Sequence, residues 1–194
     1  MEADSTMIPM RLSRIVIRDG TDQQWIFLNE VDGERGFAII IGPAEATEIR
    51  RVVSSVETER PLTHQLTNMV IDALDAKLVG IDVVDLSSNT FFARLLLQKA
   101  DSEEVISVDA RPSDALALAL RAGCTIRVAE HVLEQARTDA SGPDPMPQPP
   151  EAMPGFFTQE LPGMPPVPPQ QEQPDAPADA DEGGKAEDDD PPEA

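Results

Sequence analysis

Proline is distributed very unevenly along this chain of 194 residues, and its distribution limits which part can fold. Fifteen of the 19 prolines lie after residue 138, together with eight Asp, six Glu and a single Lys. A segment with so few aliphatic side chains cannot bury enough apolar surface to offset the entropy of ordering it. We therefore expect a flexible N-terminus at residues 1–9, one folded domain at 10–138, and a disordered acidic, Pro-rich tail at 139–194.

Residues 10–138 alternate between two hydrophobic periods, which is typical of a mixed α/β domain. Alternation every second residue, with Gly-containing turns between segments, predicts seven strands. They span residues 10–18, 24–30, 36–41, 78–86, 90–98, 103–110 and 125–130. The fold class that this order indicates is a single compact domain with a mixed sheet and three main helices.

The helical period predicts those helices at 42–56, from an N-cap at Thr63 onward, and at 112–122, with a final helical turn or two at 131–137. Five residues of the second helix share one apolar face: Leu66, Met69, Val70, Ala73 and Leu74. The third helix is apolar on more than one face through Leu116, Leu118 and Leu120, so we expect it to be buried on more than one side, as at a subunit interface.

Charge and composition indicate where in the cell the protein is expected to lie. The net charge is −21, of which −13 falls in residues 139–194, leaving −8 for residues 1–138. An acidic domain is a poor non-specific partner for nucleic acid, whose phosphates attract Lys and Arg. The single cysteine, Cys124, excludes an intramolecular disulfide, and no apolar run approaches the ~18 residues of a membrane span. We expect an unprocessed cytoplasmic protein that does not enter a membrane.

The stretch "SVDARPSDALALALRAGC", residues 107–124, places Arg-Pro-Ser-Asp before an Ala/Leu helix. Helix capping accounts for most of it: Pro112 suits the first helical position, Ser113 an N-cap, and Asp114 the positive end of the helix dipole. Arg111 is different, because a cation is unfavourable at a helix N-terminus and needs a partner. The candidates are a carboxylate of the protein, Asp109 or Glu45, and the phosphate of a substrate.

Four blocks of the chain resemble, in order, the bifunctional nuclease domain family. They are "IGPAEATEI" (41–49), "RPLTHQLTNMVIDALDAKLVGIDVVDL" (60–86), "NTFFARLLL" (89–97) and "VDARPSDALALALRAGCTIRVAEHVLEQA" (108–136). The resemblance implies a compact α/β domain that forms a homodimer or higher homo-oligomer and cuts DNA and RNA. Two positions depart from the family pattern: Ile39-Ile40-Ile41 replaces a segment with a Trp, and Gln65 replaces an Asp after Thr-His.

Phosphodiester hydrolysis needs an activated nucleophile, a group that protonates the leaving oxygen, and positive charge on the phosphate. The positions that match the family give catalytic candidates at His64, Asp109, Asp114 and Glu45. The phosphate-binding candidates are Arg111 and Ser113. Carboxylates among them could hold Mg²⁺ or Mn²⁺. Each also has a structural interpretation as a cap or a dipole partner, and His131, with no acid or base in its motif, is interpreted as structural.

Two functions therefore stay open. The first is a nuclease of low sequence preference that acts on DNA or RNA. The second is a non-catalytic oligomeric scaffold or regulatory binding module, which the −8 charge of residues 1–138 and the Gln65 departure favour. The glycines of residues 10–138 are isolated, so this part of the chain lacks the phosphate-binding loop of a nucleoside triphosphatase. In either case the acidic tail could lie over a basic groove and mimic nucleic acid.

Overall fold

One mixed sheet forms the centre of the protein. The structure, a computed structural model, describes residues 6–140 and 156–160. Its strands are β1 (Met7–Arg18), β2 (Gln24–Glu30), β3 (Gly36–Ile41), β4 (Ala76–Ser87), β5 (Thr90–Lys99), β6 (Val105–Ala110), β7 (Thr125–Ala129) and β8 (Phe156–Glu160). The helices are α1 (Pro43–Val53), α2 (Thr63–Ala73), α3 (Pro112–Ala122) and α4 (Glu130–Ala140).

The strands follow the order β3-β2-β1-β7-β4-β5-β6, and β8 pairs with β1. The β4–β7 pair is parallel and the other pairs are antiparallel. A parallel pair needs a long crossover connection, and β5, β6 and α3 supply it here. The mixed sheet and the element order predicted from the sequence are therefore confirmed.

One face of the sheet carries the core. Residues opposite each other in register share a face, and such neighbours are apolar and buried in both halves of the sheet, as at Leu28 beside Phe37 and at Val83 beside Ala93. Phe37 of β3 also stacks on Phe91 of β5 with ring centroids 5.4 Å apart, so the sheet curves around this face. Buried side chains of α1, α3 and α4 join the same core.

The helix α3 is buried along most of its length. All six residues from Ala115 to Leu120 are buried, which explains a helix that is apolar on several faces. The cause lies within one chain, because α3 contacts α1 and α2 as well as β4, β5 and β7. A subunit interface is not needed to account for its composition.

The helix α2 behaves in the opposite way. Its predicted apolar face is exposed: Leu66, Met69, Val70 and Leu74 are each between 49% and 70% exposed. Ile71, between those positions, is the residue of this helix that is buried. The amphipathic helix is present, but its predicted apolar face does not pack on the core of this chain.

Several boundaries differ from the sequence prediction. The N-caps are Leu62 for α2 and Arg111 for α3, so Thr63 and Ser113 are first-turn residues and neither is a cap. The last helix extends through 11 residues, which gives four helices where three main ones were predicted. The strand β8 lies inside the predicted disordered tail, and residues 141–155 and 161–194 of that tail lie outside the described residues. Among the described residues, none of the helices could cross a membrane.

Candidate active site

Two helices of the protein begin in the same way. In α1 and in α3 proline occupies the first helical position, Pro43 and Pro112, and an acid follows two residues later, Glu45 and Asp114. Proline fits there because its missing N–H is one of the unpaired groups of a helix start, and the acid faces the positive end of the helix dipole. Because α1 packs against α3, the two starts lie close together.

The side chain of Arg111 joins the two helix starts. Its Nη2 donates to Glu45 Oε1 at 2.7 Å, and its Nε donates to Asp114 Oδ2 at 2.8 Å. A further contact of 3.2 Å runs from Nη2 to Asp114 Oδ1. Asp114, and then Glu45, raise the pKa of this guanidinium further above its ordinary value. The cation at the wrong end of the helix is thus held by two carboxylates of the protein.

His64 extends this chain of contacts from a third helix start. It lies in the first turn of α2, and its Nε2 is 2.9 Å from Asp114 Oδ1. Partial burial of the Asp114 carboxyl opposes ionisation, but the hydrogen bonds from Arg111 and His64 outweigh it and hold its pKa below the usual range. Asp114 is therefore an ionised acceptor that fixes the orientation of the imidazole.

These four residues, which we call the Arg111 network, differ in exposure. The side chain of Arg111 is 67% exposed, while those of Glu45, His64 and Asp114 are 15%, 17% and 29% exposed. Within the described residues, Nη1 of Arg111 donates to no protein acceptor among the hydrogen bonds found. The cation thus faces solvent with an N–H group to offer, above a layer of acid and imidazole groups.

Asp109, one of the predicted catalytic acids, lies elsewhere. It is exposed on β6 directly opposite Arg94 of β5, on the sheet face away from the core. The same row continues through Asp82 to Arg127, which form an ion pair with Nε and Oδ1 2.7 Å apart. The proposed partnership of Asp109 with Arg111 is therefore wrong: Asp109 belongs to a row of alternating charges across four strands.

Ser113 and the remaining reactive side chains are also separate from the Arg111 network. Ser113 is buried in the first turn of α3. Burial raises the pKa of the Cys124 thiol to about 11, which keeps it neutral at pH 7. His131 is half exposed, with Nε2 4.0 Å from Asp85 Oδ1.

The described residues contain no group of three or more His, Cys, Asp or Glu side chains that could hold a metal ion. The carboxylates of Glu45 and Asp114 both accept from Arg111. Asp114 was not among the predicted partners of Arg111, which were Asp109, Glu45 and a substrate phosphate. The signal was present, since residues three apart in a first helical turn face each other.

The fold and this site together define a class of protein. It is an α/β domain in which three helix starts bring a histidine–carboxylate pair together with an exposed arginine. The bifunctional nuclease domain model matches residues 26–141, a span that contains all four residues of the Arg111 network. The chain belongs to this family.

Two relatives match different shares of this chain. An uncharacterised protein of Mycobacterium tuberculosis, present in strains CDC 1551 / Oshkosh and ATCC 25618 / H37Rv, is 40% identical over 127 residues, which cover 66% of this chain and 74% of that protein. Bifunctional nuclease 1 of Arabidopsis thaliana is 26% identical over 95 residues, which cover 48% of this chain and 29% of the plant protein.

Proposed function

We propose that this protein is a nuclease that hydrolyses phosphodiester bonds in DNA or RNA with low sequence preference. The observation that carries the proposal is the contact chain from His64 through Asp114 to the exposed Arg111. It brings a proton-transfer group, its orienting carboxylate and a phosphate-binding cation to one surface. Membership of the bifunctional nuclease domain family supports the same reaction class.

Each residue of the Arg111 network has a separate role in this proposal. Arg111 binds a non-bridging phosphate oxygen through Nη1 and stabilises the negative charge that develops on it. His64 transfers the proton to or from the attacking or leaving oxygen, and Asp114 holds the ring in place. Glu45 anchors the guanidinium from the opposite side. Asp109 and Ser113 have no part in it.

A divalent cation belongs to the proposal as a cofactor to be tested. Oxygen ligands suit Mg²⁺ and Mn²⁺, and Glu45 and Asp114 supply carboxylate oxygens beside Arg111. Two protein carboxylates leave most of the coordination shell of Mg²⁺ to water and to the substrate phosphate, as is common for this ion. When bound, the ion would supply charge neutralisation at the phosphate.

The test is cleavage of labelled single-stranded RNA and duplex DNA by the full chain, in Mg²⁺, in Mn²⁺ and in excess chelator. His64→Asn should lower the rate by about 10²-fold or more, because it removes the proton-transfer group. His131→Asn is the matched control and should leave the rate unchanged, since that imidazole is half exposed and its Nε2 lies 4.0 Å from Asp85 Oδ1, outside the Arg111 network. Equal rates for His64→Asn and the wild type would refute the assignment.

The exposed apolar face of α2 favours a second candidate, an oligomeric scaffold or regulatory module without catalysis. Four large apolar side chains of one helix in contact with water are typical of a protein interface. We propose that this face joins copies of the chain into a homodimer or higher homo-oligomer in the cytoplasm. Oligomers without cleavage in any metal would favour the scaffold, and cleavage abolished by His64→Asn would favour the nuclease.

A further inference from the structure

Gly42 is the single residue between strand β3 and helix α1, and its backbone does not require a glycine. Its φ of −74° and ψ of 162° are extended values that any residue adopts. It is the N-cap of α1, a position at which Ser, Asp and Asn are preferred because their side chains accept a hydrogen bond from the first turn. Neither the backbone conformation nor helix capping therefore accounts for a glycine here.

The space beside Gly42 is occupied by a member of the Arg111 network. A Cβ atom at position 42 would lie 2.6 Å from Glu45 Oε2, which is too short for a contact between carbon and oxygen. The other oxygen of the same carboxylate, Oε1, accepts from Arg111 Nη2 at 2.7 Å. The missing side chain of Gly42 thus leaves room for the carboxylate that holds Arg111.

The backbone of residue 42 is held in place from both sides. The preceding Ile41 is paired with β2, and the carbonyl of Gly42 accepts a helical hydrogen bond from Ala46 N at 3.0 Å. The Glu45 carboxylate is the end of a flexible side chain, so it is the group that moves when a Cβ is added. Because a carboxylate is rigid, Oε1 moves together with Oε2, and the hydrogen bond to Arg111 is lengthened or lost.

We propose that Gly42 is a positioning residue of the candidate active site: because it has no side chain, Glu45 can hold Arg111 where Nη1 meets a substrate phosphate. This inference rests on the proposed nuclease function. Without Glu45, the contacts of the guanidinium within the described residues are those with Asp114, three residues further along the same helix start. Arg111 is then no longer tied to α1, and a misplacement of about 1 Å at a substrate-binding group lowers a rate by up to about 10²-fold.

The experiment compares Gly42→Ser and Gly42→Ala in the full chain. Both variants add a Cβ, but only serine adds a hydroxyl that can cap α1. We expect both to cleave labelled RNA about tenfold more slowly than the wild type, or more slowly still. The midpoint of urea unfolding should be at or above the wild-type value for Gly42→Ser and lower for Gly42→Ala. The loss of activity would thus follow the Cβ, and the change in stability would follow the hydroxyl.

Two further variants separate a role through Glu45 from a general effect of replacing a glycine. Gly20→Ala is the matched control: Gly20 has a φ of 76° and no atom within 4 Å of an added Cβ, so this variant should be less stable but cleave at the wild-type rate. Glu45→Ala removes the carboxylate with which the added Cβ collides. The double variant Gly42→Ser/Glu45→Ala should therefore cleave at the rate of Glu45→Ala alone, because two residues that act through one contact are not additive.

The NMR signals of the Arg111 side-chain N–H groups, in isotope-labelled protein and assigned with Arg111→Met, give a measurement that does not depend on cleavage. Gly42→Ser should shift these signals as Glu45→Ala does, and Gly20→Ala should leave them unchanged. Unchanged Arg111 signals in Gly42→Ser, cleavage by this variant at the wild-type rate, or additive losses in the double variant would overturn the inference. If the wild type cleaves no nucleic acid while the Arg111 signals respond as expected, the nuclease function is refuted and the control of Arg111 by Gly42 is supported.

Discussion

Replacing Arg111 by Met separates a structural role of this residue from a role in phosphate binding. The methionine keeps an unbranched apolar side chain but removes the guanidinium and its contacts with Glu45 and Asp114. The two roles predict different changes in two measurable quantities, the free energy of unfolding and the cleavage rate.

The structure gives the expected size of the stability change. Because the Arg111 side chain is 67% exposed, each of its ion pairs is screened by solvent and is worth about 0.2–1 kcal/mol. Glu45 and Asp114 keep their favourable positions at helix starts without Arg111, each worth about 0.3–1 kcal/mol. We therefore expect Arg111→Met to lower the free energy of unfolding by only about 1 kcal/mol. Loss of a preorganised phosphate contact should instead lower the cleavage rate by about 10²–10³-fold.

Urea denaturation at pH 7 and cleavage of labelled RNA test both quantities on the same samples. The Asp114 pKa is lowered in the folded state, so the stability that it contributes is present above the ordinary carboxyl pKa and is lost as the pH falls. The stability difference between the wild type and Arg111→Met should accordingly shrink below about pH 4.

Arg94→Met is the matched control, since Arg94 is an exposed arginine on the opposite sheet face. The cleavage rate of this variant should equal that of the wild type. A loss of more than about 3 kcal/mol with unchanged cleavage would show that Arg111 has a purely structural role.

Three other perturbations follow from the same contacts. Glu48→Gln should lower the free energy of unfolding, measured in urea, by about 2 kcal/mol, because a buried carboxylate that is hydrogen-bonded to Arg51 and Arg121 loses its charge. An unchanged free energy of unfolding would contradict the structure. Burial opposes ionisation of Glu48, but those two arginines keep its pKa low, so the deficit of Glu48→Gln should diminish in acid. Val70→Glu, in the exposed apolar face of α2, should shift the protein toward monomers in sedimentation, with the exposed Glu59→Gln as control. Deleting residues 161–194, which hold ten of the 14 carboxylates after residue 138, should tighten binding of a labelled oligonucleotide and change its dependence on salt; identical binding curves would exclude an electrostatic role for this segment.

Local sequence signals were sufficient to predict the bounds of an element where one hydrophobic period dominates or where turn residues, Pro or Gly flank the element. Strands β2 and β3 and helix α3 have the predicted bounds, because turn residues flank the strands and Pro112 and Gly123 bracket the helix. Gly123 has a φ of 67°, the left-handed conformation expected of a glycine that ends a helix. The N-cap of α2 was predicted one residue too late. Thr63 is a typical N-cap residue, but Leu62 is the N-cap and no side chain forms a capping hydrogen bond there.

Tertiary packing determined which apolar faces are buried, and the sequence alone did not predict this. An apolar stripe predicts burial, but it does not distinguish the core of one chain from the surface that another chain covers. That is why the stripe of α2, with Leu66 and Leu74, is exposed while the apolar residues of α3 from Ala115 to Leu120 are buried. Asp109 illustrates the same limit for the site, because the alternation of side chains along β6 places it on the opposite face from Ala110 and away from the Arg111 network.

For the proposed nuclease function, the Arg111 network has to receive a phosphate although the protein is acidic. Two carboxylates and one guanidinium carry a net charge of −1, and the positive ends of three helix dipoles face them. A proton on His64 brings the net charge of the network to zero, since Asp114 stays ionised beside it. In the proposed function, phosphate binding would therefore be strongest with His64 protonated, which is also the state in which it can donate a proton to a leaving oxygen. Catalysis and substrate binding would depend on the same proton, and His64→Asn should weaken phosphate binding as well as cleavage.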